Sequence, residues 1–314
     1  MKKKITYRVR NWKAYNRSLI NRGNLTIWFS KDAMKSWYQK PQKHKGRGRS
    51  NLYSDQAIEL ALTLRTLFRF SLRATQGFLE GLMSLLGLQL QVSHYSCLSR
   101  RASSLNVQLT RFKKTGKRPT DLVVDSTGLK IFGEGEWKIR THGKQKRRTW
   151  RKYHVTVNPD SHEVMAMELT EAKVHDCKVL ATLLSKQKNI GKIYGDGAYS
   201  FKENFESIEK LGGTPLIPIR SGTCLVKKNP TAGEQLMNGL LETIWQSGGK
   251  SIWKKTSGYH RRSLVETHMS RLKTILGGVL RGRKFKNQTT EAKIMAKILN
   301  KMTSLGMPHS EKVF

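Results

Sequence analysis

The chain has 314 residues, of which 37% are hydrophobic, so it is long enough to bury the cores of two or three domains. Its 59 lysine and arginine residues outnumber 22 aspartates and glutamates, which gives a formal net charge of +37 and indicates a polyanionic partner. The absence of an 18-residue apolar run excludes a predicted membrane span, and no apolar stretch after Met1 suggests a secretory signal. Three scattered cysteines argue against a disulfide framework and favour a reducing cytoplasm.

The positive charge is concentrated in three separate clusters. Residues 1–50 carry 15 basic residues and one acid, and residues 138–152 carry eight basic residues and no acid. The third cluster contains Arg281, Arg283, Lys284 and Lys286. One such run is as typical of a solvated face as of a binding site, but three in one chain predict nucleic acid as the partner. Charge alone does not distinguish an enzyme from a packaging protein.

The amino-terminal third is predicted to contain a basic arm and a helical domain. Residues 1–50 read as an extended, partly ordered arm whose aromatic residues either stack on bases or anchor the arm. Residues 51–118 contain three helical patterns, beginning near Asp55, Leu72 and Ser96. This order predicts a helix-turn-helix-like domain in which Arg100 and Arg101, on the third helix, contact DNA. A plain three-helix bundle is the alternative.

Residues 119–304 are predicted to form an α/β domain. Three strand patterns joined by short turns come first, and an alternation of helices and strands follows. The first part predicts an antiparallel meander, and the second requires parallel strands joined by crossovers. The expected fold is a ribonuclease-H-like mixed five-stranded sheet with flanking helices, with a short insertion at about 221–258 and a tail at 305–314.

Two aspartates stand at or near the ends of strands that this topology makes neighbours. Asp125 follows the apolar run 122–124, and Asp196 closes a short predicted strand at 190–196. Either alone is more typical of a turn, but together they predict two carboxylates that share one cation. Other acids have simpler explanations: Asp121 begins a strand, Asp160 lies in a turn, and Asp176 is predicted to cap a helix.

A third carboxylate is expected from a long helix at about 259–276. At 100° per residue, Tyr259, Arg262, Glu266 and Lys273 lie on one narrow face, and the apolar residues lie on the opposite face. A solvated helix face explains the two cations but not their common stripe with the phenol and the acid. Glu266 is therefore the candidate partner of the two aspartates.

The spacing Y-x2-R-x3-E-x6-K of these four residues resembles the signature of bacterial insertion-sequence DDE transposases, of the type often called the fifth insertion-sequence family. Further segments are similar to that family, and the resemblance covers nearly the whole chain. They are 11–16, 98–101, 125–129, 150–154, 195–199 and 297–303.

The resemblance implies a transposase that binds terminal inverted repeats, hydrolyses DNA at the transposon ends and joins the 3′-OH ends to target DNA. It implies that Asp125, Asp196 and Glu266 are catalytic and bind two Mg²⁺ ions, for which Mn²⁺ can substitute. The residues expected to bind DNA are Tyr259, Arg262, Lys273, Arg147, Arg148, Arg151, Lys152, Arg100 and Arg101. His154 is expected to be structural.

A cytoplasmic, nucleoid-associated bacterial protein is expected, which acts as a homodimer on double-stranded DNA because two transposon ends must be synapsed. Two alternatives stay open. One is a nuclease or resolvase of the same fold that cuts without joining, and the other is an inactive DNA-binding remnant.

Overall fold

The computed structural model describes residues 6–29, 31–40, 51–109, 118–133, 150–185 and 187–313. The chain divides into two compact units, one made of residues 1–110 and 297–314 and the other of residues 111–296. None of the helices in the described ranges is long and apolar enough to cross a lipid bilayer.

The first unit is mainly helical. The helices described before residue 110 are α1 Trp12–Arg22, α2 Leu25–Trp28, α3 Lys31–Lys35, α4 Asp55–Leu67, α5 Leu72–Leu85 and α6 Tyr95–Ala102. The side chains of Ser54 and Ser71 cap α4 and α5 by accepting hydrogen bonds from backbone N–H groups in the first turn. Helices α4, α5 and α6 therefore form where the apolar periodicity predicts them, with ends that differ by a few residues.

The predicted extended arm is largely helical in its described part, and the predicted tail is a strand. Strand β1 (Thr6–Val9) pairs antiparallel with the carboxy-terminal strand Ser310–Val313. Two tryptophans of the arm, Trp28 and Trp37, are buried, and the Trp37 indole N–H donates to the carbonyl of Gln91 at 2.8 Å. Burial of these rings explains why the arm is folded, and it supports the anchoring alternative for both residues.

The second unit is built on a mixed sheet. Its strands are β2 Thr120–Ile131, β3 Trp150–Val157, β4 Val164–Glu171, β5 Ile190–Tyr194, β6 Thr214–Leu216 and β7 Val279–Leu280. The order is β4-β3-β2-β5-β6, with β7 paired parallel to the far end of β2. β2, β3 and β4 are antiparallel, whereas β2, β5 and β6 are parallel. The antiparallel meander and the parallel continuation are confirmed.

The sheet has six strands instead of the five that the sequence predicts. The additional strand, β7, has only two residues, Val279 and Leu280, which pair with Lys130 and Ile131. Two residues are too few to produce an alternating pattern, so this strand has no sequence signal of its own. The mixed α/β architecture is consistent with a ribonuclease-H-like domain.

The helices of the second unit follow strands along the chain, and two of them lie in the predicted insertion at 221–258. They are α7 Leu180–Leu184, α8 Lys202–Glu209, α9 Ala232–Gln246, α10 Lys250–Thr256 and α11 Leu264–Arg271, together with the first part of α12 Phe285–Leu305. The insertion at 221–258 is thus mostly helical. The predicted helix at 259–276 is continuous but changes type, from a 3₁₀ turn at Tyr259–Ser263 through α11 to a π-type turn at Leu272–Leu276.

Candidate active site

Asp125 lies on the central strand β2, at the level where its parallel neighbour β5 has ended. The last registered pair between the two strands is Val123 with Tyr194, two residues before Asp125. One carboxylate oxygen of Asp125 accepts a hydrogen bond from the backbone N–H of Ser126 at 2.8 Å. β2 itself continues to Ile131 because β3 pairs along it from Val123 to Lys130, so Asp125 is held within a strand rather than at its end.

Asp196 follows the end of β5 and is fixed by local backbone contacts. Its carboxylate accepts a hydrogen bond from the backbone N–H of Ala198 at 2.8 Å and caps the short 3₁₀ turn at 197–199. Gly195 before it is closely packed: a Cβ atom there would lie 3.1 Å from Val124 and 3.3 Å from the Tyr199 ring. The adjacency of β2 and β5 therefore brings Asp125 and Asp196 close together, as predicted, at the level where β5 ends.

Arg262 joins the third acid to the first. Its guanidinium donates one hydrogen bond to Asp125 at 3.0 Å and another to Glu266 at 2.6 Å. Glu266 is on α11, and 58% of its side chain is exposed, whereas Asp125 is 21% exposed. The structure thus brings both carboxylates to one guanidinium. The sequence analysis placed Arg262 on the correct face but assigned it to phosphate, and spacing alone does not identify this bridge.

Tyr259 connects the same group to the Asp196 segment. Its hydroxyl donates to the carbonyl of Gly195 at 3.1 Å. Burial raises the pKa of Tyr259 to about 12. The negative charges of Asp196, Asp125 and Glu266 also raise this pKa, whereas the positive charge of Arg262 lowers it. All three predicted acids are therefore close enough to influence one phenol.

The electrostatics of the site are those of a carboxylate cluster with one internal cation. Burial raises the pKa of Asp125, and the negative charges of Asp196 and Asp176 raise it further. The hydrogen bond from Ser126 and the positive charge of Arg262 lower it, but they do not outweigh the burial. Burial alone would lower the pKa of Arg262, but the neighbouring phenol and carboxylates outweigh it and raise that pKa. The arrangement therefore favours a positive charge between the acids.

The carboxylate oxygens of these residues are the hard ligands that a divalent cation prefers. Within the described ranges, no group of three carboxylate, imidazole or thiol side chains is placed so as to hold a metal ion, so the site is not a ready-made metal cage. Mg²⁺ does not need such a cage, because it keeps several waters and uses one or two carboxylates together with substrate phosphates. Near the same acids, the buried Tyr199 hydroxyl has no hydrogen-bond partner among the described residues.

A fourth carboxylate, Asp176, lies near this cluster, and its predicted role as a helix cap is wrong. It is the first residue of a 3₁₀ turn, and no side-chain hydrogen bond caps that turn. Its carboxylate instead accepts from the Lys152 ammonium group at 3.1 Å and lies 3.7 Å from Nδ1 of His154. His154 is fully buried and bonds Thr170, and burial lowers its pKa to about 4, as suits the structural role expected of it.

The other predicted DNA-binding residues have different surroundings. Arg151 donates to the Gln288 side chain at 2.9 Å and Lys152 is paired with Asp176, whereas Lys273 is exposed. In the first unit, Arg100 is exposed, but Arg101 is held by the Asp55 carboxylate and the Tyr53 carbonyl. The remaining two, Arg147 and Arg148, lie outside the described residues.

A cleft of about 530 Å³ opens beside Asp196, and most of its polar lining residues are not among those predicted from the sequence. Besides Asp196, Tyr259 and Arg262, the cleft is lined by Arg220 and by two lysines of α10, Lys250 and Lys254. The two lysines are four residues apart and therefore lie on one helical face. The spacing of the two lysines is visible in the sequence, but it indicates a common face only if residues 250–256 form a helix.

Comparison with known families gives two matches. The family described as Transposase DDE domain matches residues 116–301, which is more than half of the chain and contains Asp125, Asp196 and Glu266. A second family of the same description matches residues 20–134. These two matches show that the chain belongs to the DDE-type insertion-sequence transposases.

Proposed function

We propose that this transposase cuts DNA at the ends of its insertion sequence and joins the freed 3′-OH ends to target DNA, with Asp125, Asp196 and Glu266 as the catalytic acids. The observation that carries the proposal is the single guanidinium of Arg262 bonded to both Asp125 and Glu266, next to Asp196 across the β2–β5 pair. Three neighbouring carboxylates do not stabilise the fold, because like charges repel and raise the free-energy cost of burying each ionised group.

The three carboxylates would hold two Mg²⁺ ions, which supply charge stabilisation to the attacking and leaving oxygens of an in-line displacement. Asp125 and Asp196 are pre-positioned by backbone N–H groups, so little reorganisation is needed. Glu266 is more exposed, and among the described residues its carboxylate is held by Arg262, so it is the adjustable member of the set. Arg262 and Tyr259 orient the acids and contact the DNA backbone.

Two displacements at phosphorus complete the reaction. Water first attacks the phosphodiester at the transposon end, a new P–O bond forms, and the bond to the 3′ oxygen breaks to leave a 3′-OH. That hydroxyl then attacks a phosphodiester of the target, so one P–O bond forms as another breaks. The number of phosphodiester bonds is conserved in the second step, and no external energy source is required. Protein nucleophiles are not involved.

DNA would be bound by exposed cations in both units. In the first unit, the three helices α4–α6 support a helix-turn-helix-like reader of the terminal repeats, with Arg100 as an exposed cation on its third helix. Near the site, Lys273 would contact phosphate. Synapsis of two ends requires at least a dimer, and a chain of charge +37 would associate with the bacterial nucleoid.

The test uses Asp125→Asn, Asp196→Asn and Glu266→Gln, with Asp160→Asn as the control because Asp160 is an exposed acid outside the cluster. On duplexes that carry the ends of the insertion sequence, in Mg²⁺, the three variants should lose cleavage by at least about 10²-fold while gel-shift binding is kept. A duplex already cut at the 3′ end tests joining separately. Cleavage without joining would favour the nuclease alternative, and wild-type activity in any of the three variants would refute the assignment.

A further inference from the structure

The cleft beside Asp196 has a strongly positive wall. Arg220, Lys250 and Lys254 face it together with Arg262, and Asp196 is the acid among its lining residues. Within the described part of the chain, the first three form no ion pair with a carboxylate, in contrast to Arg262, which bonds two. Their charges are therefore available to an anionic ligand.

Aromatic rings hold two of these cations in place. The Arg220 guanidinium lies 4.2 Å from the centroid of the Phe201 ring, and its Nε donates to the carbonyl of Gly197 at 3.2 Å. The ammonium group of Lys254 lies 5.2 Å from the centroid of the Tyr259 ring. Cation–π contacts of this kind orient a charge without neutralising it. The cations are thus ordered but not paired.

The cleft has room for a nucleotide unit, because its volume of about 530 Å³ is within the range of pockets that hold small molecules. One wall also carries the Tyr259 ring, and single strands are bound by basic grooves that include aromatic rings. Positive charge and an aromatic ring in one cleft together favour an unpaired strand over a duplex.

We propose that this cleft is a subsite for an unpaired DNA strand next to the scissile phosphate, in which Arg220, Lys250 and Lys254 bind phosphate groups. The proposal rests on the proposed function in one respect, because it takes DNA as the substrate of the neighbouring acids. It assigns binding, not chemistry, to the three cations. Strand engagement here therefore requires no divalent ion.

The first test is lysine acetylation of the wild-type protein, in the presence of chelator, with and without a 12-nucleotide single strand. Lys255 is the matched control because it is exposed, adjacent to Lys254 and outside the cleft lining. The single strand should reduce acetylation of Lys250 and Lys254 several-fold and leave that of Lys255 nearly unchanged. Equal protection of all three lysines, or protection of the cleft lysines by the corresponding duplex alone, would overturn the proposal.

The second test measures the salt dependence of single-strand affinity. Each lost phosphate contact reduces the slope of log K against log salt by about 0.7, so Arg220→Gln and Lys254→Gln should each flatten the line by about that amount. Lys255→Gln should change it much less. Slopes of Arg220→Gln and Lys254→Gln equal to that of wild type would overturn the proposal.

These results are separable from those of the proposed function. A protein that cleaves DNA but leaves Lys250 and Lys254 unprotected would contradict the subsite alone. Protection of these lysines in a wild-type protein that never cleaves in Mg²⁺ would support the subsite and contradict the proposed function.

Discussion

Removal of the Arg262 guanidinium should destabilise the second unit, and the loss should depend on Asp125. In Arg262→Gln, the Asp125 carboxylate keeps its hydrogen bond from the Ser126 N–H but loses its cationic partner. A largely buried carboxylate is then left without a positive charge to balance its own. Breaking such a pair by removing one partner is costly because the remaining charge stays in a poorly solvated position.

The expected magnitude follows from the exposure of the two pairs. Arg262 and Asp125 are 24% and 21% exposed, so their pair lies between the surface limit of about 1 kcal/mol and the buried limit of about 3–5 kcal/mol. We take about 2 kcal/mol. The pair with the exposed Glu266, four residues along the helix, adds about 0.3–0.5 kcal/mol. For a unit of this size, the melting temperature should fall by about 4–10 °C.

The assay is thermal unfolding of four proteins: wild type, Arg262→Gln, Asp125→Asn and the double variant, all without divalent ions. The double variant should recover about 1–2 kcal/mol relative to the sum of the two single changes, because the uncompensated charge is gone. Arg262→Lys should show an intermediate loss, since it keeps the charge but not the two-pronged geometry. Strictly additive effects, or an unchanged melting temperature in Arg262→Gln, would refute the reasoning.

Three further changes test other parts of the structure. Burial lowers the pKa of His154 to about 4, so the imidazole is neutral in the folded state, whereas it gains a proton near pH 6.5 in the unfolded state. The free energy of unfolding should therefore decrease as the pH falls from 6.5 to 4. In an acid-unfolding comparison, this decrease should be smaller in His154→Gln than in wild type. A Cβ atom at Gly233 would lie 2.5 Å from the backbone nitrogen of Glu206, so Gly233→Ala should lower the free energy of unfolding by about 1–3 kcal/mol, measured in urea. Gly239 is on the same helix but faces open space, so Gly239→Ala should raise that free energy by about 0.4–1 kcal/mol. Lys273→Ala should weaken DNA binding and flatten its salt dependence in a gel-shift titration, because its exposed ammonium group is expected to contact phosphate.

Each of these three predictions has an outcome that contradicts it. Identical acid transitions for His154→Gln and wild type would mean that the buried imidazole does not set the pH response. Equal effects at Gly233 and Gly239 would mean that the packing of α9 on α8 is looser than the structure describes. A salt titration of Lys273→Ala that superimposes on that of wild type would remove this lysine from the DNA-binding surface.

Much of the site was predictable because strand neighbours follow from topology. The antiparallel meander and the subsequent crossovers require β2 and β5 to be adjacent, which places Asp125 near Asp196 without knowledge of any side chain. Glu266 follows from helical spacing relative to Tyr259 and Arg262. Residues 259–263 form a 3₁₀ turn, in which each residue rotates by about 120° instead of about 100°, so Tyr259 is displaced around the helix axis from the narrow face that the spacing predicts.

Other features were present in the sequence but were not recognised. Residues 231–246 begin with Thr231 and Glu234, which form a capping box, and continue with apolar residues at 237, 240, 241 and 244. This is an amphipathic helix signal within the segment that the sequence analysis gives only as an insertion, with no helix predicted in it. The error also concealed the cleft, because Lys250 and Lys254 belong to the next helix.

A third group of features could not be predicted from local patterns. The β7 strand is too short to have a period, and the bridge from Arg262 to Asp125 joins residues 137 positions apart. Asp176 was read as a cap because acids are common at helix starts, yet its carboxylate pairs with Lys152 on β3. Such contacts depend on how distant elements pack, so only the three-dimensional structure identifies them.

The central claim is that Asp125, Asp196 and Glu266 together hold catalytic metal ions. The most direct measurement is the anomalous scattering of Mn²⁺ in crystals of the protein bound to a DNA end. The account predicts Mn²⁺ peaks at coordination distance, about 2.0–2.6 Å, from carboxylate oxygens of all three acids, with Arg262 no longer bridging Asp125 and Glu266. Peaks that involve other residues, or a Glu266 carboxylate more than about 10 Å from the two aspartates in the DNA complex, would contradict it.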